Sequence, residues 1–243
     1  MCEKIVVSVL PKVFGQHFLL MEEIVLLNMT LRILCGALAG VGCGALSLLW
    51  IRSLLAQRER SYDLARKEEL LLTAAAAAAG GALGALIPGW IPPVCGLLLL
   101  IAALTVSVTD WMHRIIPNPV VLAIMGLKLA AGLPALLGAR GFLPFSPVQS
   151  LLGLAVCFAV FELPGLFKKH VGAGDVKLAA AVGFFLGLDY ALLAIVIMGI
   201  LVVGYCVFQN KAPFLAFLRT EIPMGPFIAV GLLAAFVLSM RIA

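Results

Sequence analysis

Apolar residues follow one another in bilayer-sized blocks along most of this chain. Eight blocks lie near 33–56, 69–88, 93–110, 118–138, 148–167, 175–188, 190–209 and 223–240. About 20 apolar residues cross a hydrocarbon core as a helix. In lipid every backbone N–H and C=O must find its partner inside the segment, which a helix provides. Of the 243 residues, 63% are hydrophobic and 12% charged, where a soluble domain carries about 25% charge. A soluble globular fold is excluded. The expected fold is all-α and polytopic, with about eight transmembrane helices in the lipid bilayer and no soluble domain.

The breaks between blocks are chemically consistent with that reading. Residues 57–69 form a charge run, 88–93 hold three prolines, 140–147 mix Gly, Pro and Ser, 165–174 are polar and contain glycine, and 209–223 carry charge and two prolines. Alternating spans put 57–69, 110–118, 167–175 and 209–223 on one side. That side holds Arg52, Arg58, Arg60, Arg66, Lys67, Arg114, Lys168, Lys169, Lys177, Lys211 and Arg219. The other side holds Lys4, Lys12, Arg32, Arg140 and Arg241, with Lys128 inside a span. Cations collect on the cytoplasmic side of membrane proteins, so the first group of loops is expected to face the cytoplasm and both termini the opposite side. The net charge of +5 is thereby accounted for by topology, and no nucleic-acid partner is expected.

Residues 1–28 read as an extension of unassigned role before a membrane domain spanning 29–243. Pro11, His17, Glu22 and Glu23 interrupt its apolar stretch, unlike the continuous core of a secretory signal. An interfacial helix at 18–28 and a start at Met29 both fit. Gly36, Gly40 and Gly44, and then Gly80 and Gly84, recur at the spacing that lets helix backbones approach in lipid, and are read as packing positions.

The chemistry must come from few residues. The six cysteines form no CxxC pair, so neither a zinc ribbon nor a disulfide framework is expected. His17, His113 and His170 make no HExxH spacing, and no metal or other cofactor is expected. Ionisable groups within or at the edge of spans are the functional candidates in a membrane protein: Asp110, Lys128, Glu162, Asp175 and Asp189. The topology places Asp110, closing the third span, and Asp175, opening the sixth, at one membrane edge.

Two carboxylates in a low-dielectric site cannot both ionise easily. A pair in opposite protonation states can activate water and protonate a leaving amine, as aspartic proteases do. Asp175 is expected at a helix N-terminus, where an anion is favoured, and there also as the cap. Asp110 is expected at a C-terminus. On helix ends alone Asp175 is the ionised base and Asp110 the protonated acid. The sixth block is short, about 21 Å as a helix. Either it continues into the seventh, or Asp175 is recessed below the membrane surface.

Three motifs then carry a resemblance. Asp110 is followed by Ile116, Pro117 and Asn118; Gly172, Ala173, Gly174, Asp175, Val176, Lys177 and Leu178 read GxGDxKL; Ile222, Pro223, Met224, Gly225, Pro226 and Gly231 read IPxGPxxxxG. The chain resembles the type IV prepilin peptidases, membrane aspartyl proteases of the GxGD type. The resemblance implies hydrolysis by Asp110 and Asp175 of the leader of a prepilin or pseudopilin, in pilus assembly, protein secretion or competence, at the cytoplasmic membrane face. It further implies supporting or substrate-binding roles for Gly172, Gly174, Lys177, Pro117, Asn118, Pro223, Gly225 and Pro226. Many members carry a zinc-binding domain between the first two spans and also methylate the new N-terminus. Here that loop is short and lacks cysteine, so a peptidase-only form is expected. The alternative is a proton- or ion-coupled transporter, or an inactive scaffold, using the same aspartates.

Overall fold

The computed structural model describes residues 2–89, 91–136, 143–166, 172–209 and 222–242. Arg140, Lys168, Lys169, His170, Lys211 and Arg219, named above, lie outside them, as do the side chains of Lys4, Lys12 and His17. The described residues form eight helices: α1 (Cys2–Ala56), α2 (Arg66–Leu86), α3 (Ile91–His113), α4 (Asn118–Leu136), α5 (Pro147–Leu166), α6 (Ala173–Leu186), α7 (Leu188–Gln209) and α8 (Gly225–Ile242). The protein is an all-α polytopic membrane protein, and the described residues include no soluble domain. Five helical segments, Val25–Ala56, Arg66–Leu86, Pro93–His113, Leu188–Phe208 and Gly225–Ile242, are long and apolar enough to cross a membrane. Asn118–Pro134 and Pro147–Leu163 are shorter apolar helices. Helix α1 passes residue 29 without a break.

The small residues of α1 and α2 build an antiparallel hairpin in which backbone touches backbone. A Cβ on Gly36 would strike the carbonyl of Gly80, one on Gly40 that of Ala76, and one on Gly84 that of Arg32. Such contact supplies the dispersion that holds helices together where lipid removes the hydrophobic drive. Far-end carbonyls of the hairpin are covered by cations, which suit a helix C-terminus. Arg32 donates to the carbonyl of Ile87, and Arg241 Nε to that of Leu86 at 3.0 Å. Substituting Gly80 by Val should lower stability by about 1–3 kcal/mol or more through overpacking. Thermal unfolding of the purified protein in detergent checks this, and an unchanged midpoint would refute the packing role.

Helix α6 is the axis of the remaining bundle, with α4, α5, α7 and α8 around it. Nine of its residues, from Val176 to Leu186, are buried, the pattern of a helix enclosed on all sides. Gly153 of α5 and Gly183 of α6 meet backbone to backbone, and Phe185 packs edge-on against Phe236 of α8 with centroids 5.8 Å apart. The sixth block does not continue into the seventh as one helix. Gly187 takes φ +79° and caps α6 through its N–H to the Gly183 carbonyl at 2.9 Å. That left-handed conformation suits glycine, and α7 begins at the next residue.

Candidate active site

Four helix ends and one loop converge at one end of the bundle. The closing turn of α3 carries Asp110, which is 5% exposed. The chain leaves α3 through Arg114, whose N–H reaches the Asp110 carbonyl at 2.9 Å and whose φ is +54°. Ile116 and Pro117 are then buried, and the Pro117 carbonyl accepts from Val120 N–H at 3.1 Å to open α4. Asn118 and Pro119, in the first turn of α4, are exposed. Proline fits there because a first-turn N–H has no intrahelical partner.

Helix α6 starts against that turn. Gly172 is its cap, with its carbonyl accepting from Asp175 N–H at 2.9 Å and Val176 N–H at 3.3 Å. Asp175 makes no capping hydrogen bond and is the third residue of the helix, so the capping role expected for it falls to glycine. Gly174 lets the helix approach: a Cβ there would stand 3.1 Å from Ile116 Cβ. A Cβ on Gly172 would stand 2.9 Å from Asp175 Oδ2. Asp175 Oδ1 is buried and has no hydrogen-bond partner among the described residues.

The third motif is explained by α8. Met224 caps this helix through its carbonyl and Ile228 N–H at 3.0 Å, which leaves the Gly225 N–H free of the helix ladder. That N–H donates to Asp110 Oδ2 at 2.8 Å. A Cβ at 225 would lie 2.8 Å from Asp110 Cβ and 3.0 Å from Oδ2, so only glycine leaves the carboxylate in place. Pro226, next in the first turn, needs no donor, and Pro223 is buried just before the helix. Further along α8, Gly231 makes room for the Ala194 carbonyl of α7.

The charge of Asp110 acts on Asp175, and that of Arg114 on both. Lys177 is exposed and makes no ion pair among the described residues. Glu162 is exposed on α5. Lys128 and Asp189 are not brought to this site; both line a pocket at the other end of the bundle.

The loop at 57–65, which carries no catalytic motif, also docks here. Ser61 carbonyl and His113 Nε2 are 2.9 Å apart, one turn from Asp110. Tyr62 and Leu64 pack beside Val108 and Met112 of α3. Tyr62 is itself fixed by its hydroxyl on Glu69 Oε1 at 2.6 Å, with Arg52 on the same oxygen at 2.6 Å and over the Tyr62 ring at 4.7 Å. A histidine paired with a backbone carbonyl leaves no motif in the sequence.

Residues 97–207 match the model of the type IV leader peptidase family. Neither the curated proteins nor the solved structures yield a match to the chain. The matched stretch runs from α3 through α7 and contains both aspartates. Over residues 97–207, less than half of its length, the chain is thus similar to the type IV leader peptidase family.

Proposed function

We propose that the protein is an aspartic-type endopeptidase that removes the leader of prepilin-like proteins with Asp110 and Asp175 as its catalytic pair. The observation carrying this is that the ends of α3, α6 and α8 converge with Asp110 and Asp175 close enough for the charge of one to act on the other, and with Asp110 held by a backbone donor. Hydrogen bonding supports the reverse of the proton order expected from helix ends. A donor on a carboxylate favours its charged form, and a buried oxygen without a donor disfavours it. Asp110 holds the Gly225 N–H and Asp175 Oδ1 holds none, so Asp110 is the base and Asp175 carries the shared proton.

The chemistry follows from that arrangement. Asp110 takes a proton from a water between the carboxyls while the water oxygen bonds to the scissile carbonyl carbon. Asp175 gives its proton to the carbonyl oxygen. The tetrahedral adduct then collapses: its hydroxyl proton returns to Asp175, the C–N bond breaks, and Asp110 delivers its proton to the leaving nitrogen. Both carboxyls end as they began.

The site lies at the end where the loop 57–65 docks, and Arg58 and Arg60 in that loop with Arg52, Arg66 and Lys67 beside it support a cytoplasmic orientation by the distribution of Lys and Arg. That loop contains neither Cys nor His, and its Asp63 is engaged by Ser61 Oγ at 2.5 Å. Its residues do not fit the zinc of the longer relatives, and we assign peptidase activity without N-methylation. Co-expression with a prepilin-like substrate tests the proposal. Wild type should convert the precursor to the shorter form, whereas Asp110→Ala and Asp175→Ala should leave it uncut. Cleavage persisting in either variant would sink the paired mechanism.

A further inference from the structure

A second polar site lies at the far end of the bundle. Lys128 sits ten residues into α4, about 15 Å from its start, and is 7% exposed. Its Nζ donates to the Pro144 carbonyl at 2.9 Å and stands 5.6 Å from the Phe185 ring centroid. An ammonium has three N–H donors, and a buried charge is costly unless paired. Among the described residues no carboxylate is within ion-pairing distance of Lys128.

Lys128 instead lines a pocket of about 280 Å³ together with Ser146, Gln149, Phe185, Asp189 and Tyr190. Gln149 belongs to the first turn of α5, and Asp189 and Tyr190 to that of α7. The pocket is therefore at the membrane edge opposite Asp110 and Asp175. Asp189 is exposed and Lys128 buried, so the pocket is lined by a buried cation and an exposed anion that make no ion pair with each other. Its volume is just under that of pockets for drug-sized ligands, which suits a small dipolar group. The helices beside it turn Val148 and Leu151 of α5 and Leu192 of α7 outward, apolar rows along which acyl chains can lie.

We propose that this pocket binds the phosphoethanolamine headgroup of a membrane lipid, with the phosphate on Lys128 and the primary ammonium at Asp189. A phosphate accepts the remaining Lys128 donors in charge-assisted hydrogen bonds. The role is separate from peptide cleavage and does not depend on the reading of the aspartate pair.

The test uses the full chain purified in detergent, titrated with phosphatidylethanolamine, phosphatidylglycerol or phosphatidylcholine. Retained lipid is counted by native mass spectrometry and stabilisation is followed by thermal unfolding. Wild type should retain phosphatidylethanolamine in preference to the other two. Lys128→Met should weaken that retention about tenfold or more, while still cutting a prepilin-like substrate in detergent, which shows that it is folded. Asp189→Asn should keep lipid binding but lose the preference for phosphatidylethanolamine over phosphatidylglycerol. Equal retention in Lys128→Met and wild type would overturn the site, as would a wild type indifferent to headgroup. Stabilisation by soluble phosphoethanolamine equal to that by the lipid would overturn the assignment to a lipid.

Discussion

Assayed in purified form on a prepilin-like substrate, Asp110→Asn, Asp175→Asn and the double variant should each lose about 10⁴-fold or more in kcat, and by nearly the same factor. Residues acting as one catalytic unit are grossly non-additive: once either is lost, little remains for the second to remove. The geometry requires that behaviour here. The proton that Asp110 takes from water is useful only if Asp175 protonates the carbonyl oxygen in the same step. Asn matches Asp in shape, so the buried turn beneath Gly225 should still form. KM should change little, because neither variant alters the surface that would seat the substrate helix. Unfolding midpoints measured alongside separate chemistry from folding. Two single losses that multiply in the double variant would mean independent roles, and the proposed pair would be wrong.

What the sequence disclosed was largely periodicity and punctuation. Blocks of apolar residues announced the helices, while whether the sixth ran on into the seventh stayed open until Gly187 was seen in the left-handed conformation between them. The glycine spacing of α1 and α2 likewise read directly as close packing. The residues near the two aspartates, Gly172, Gly174, Gly225, Pro117 and Pro226, were singled out through the motifs of the resemblance, and the structure supplies the backbone demand that each answers.

Contacts made by the backbone itself were not legible. From helix ends alone, Asp175 was assigned the charge and Asp110 the proton. The backbone donor on Asp110 comes from residue 225, more than a hundred positions away, whose side chain is a hydrogen atom. Asp175 was also expected to cap its helix, but glycine at 172 provides the cap through its carbonyl and leaves the carboxyl unengaged. The docking of Ser61 on His113 was hidden for the same reason. Lys128 was visible as a charge within a span; that it faces a pocket shared with Asp189 depends on how α4, α5 and α7 close around α6.

Gly225→Ala isolates the backbone donor, and should lower kcat about a hundredfold with the fold intact. Loss of one preorganised donor at a reacting charge costs about 10²–10³ in rate, and a displacement of about 1 Å at the reacting atoms costs about 10². The added methyl would stand 2.8 Å from Asp110 Cβ, an atom fixed to the α3 backbone, so rotating the carboxyl cannot relieve the clash. Either α8 retreats and its N–H leaves Asp110, or the carboxylate turns away from Asp175. Gly172→Ala is the matched control. Its methyl would meet Asp175 Oδ2 at 2.9 Å, the end of a side chain that can rotate, so its loss should be several-fold smaller. Both variants should unfold within a few degrees of wild type, because each alters one contact at the bundle's edge. Kinetics on a common substrate decide the point: a Gly225→Ala enzyme as active as wild type would show that the 2.8 Å hydrogen bond to Asp110 has no part in setting the base, and the proton order argued from it would fall.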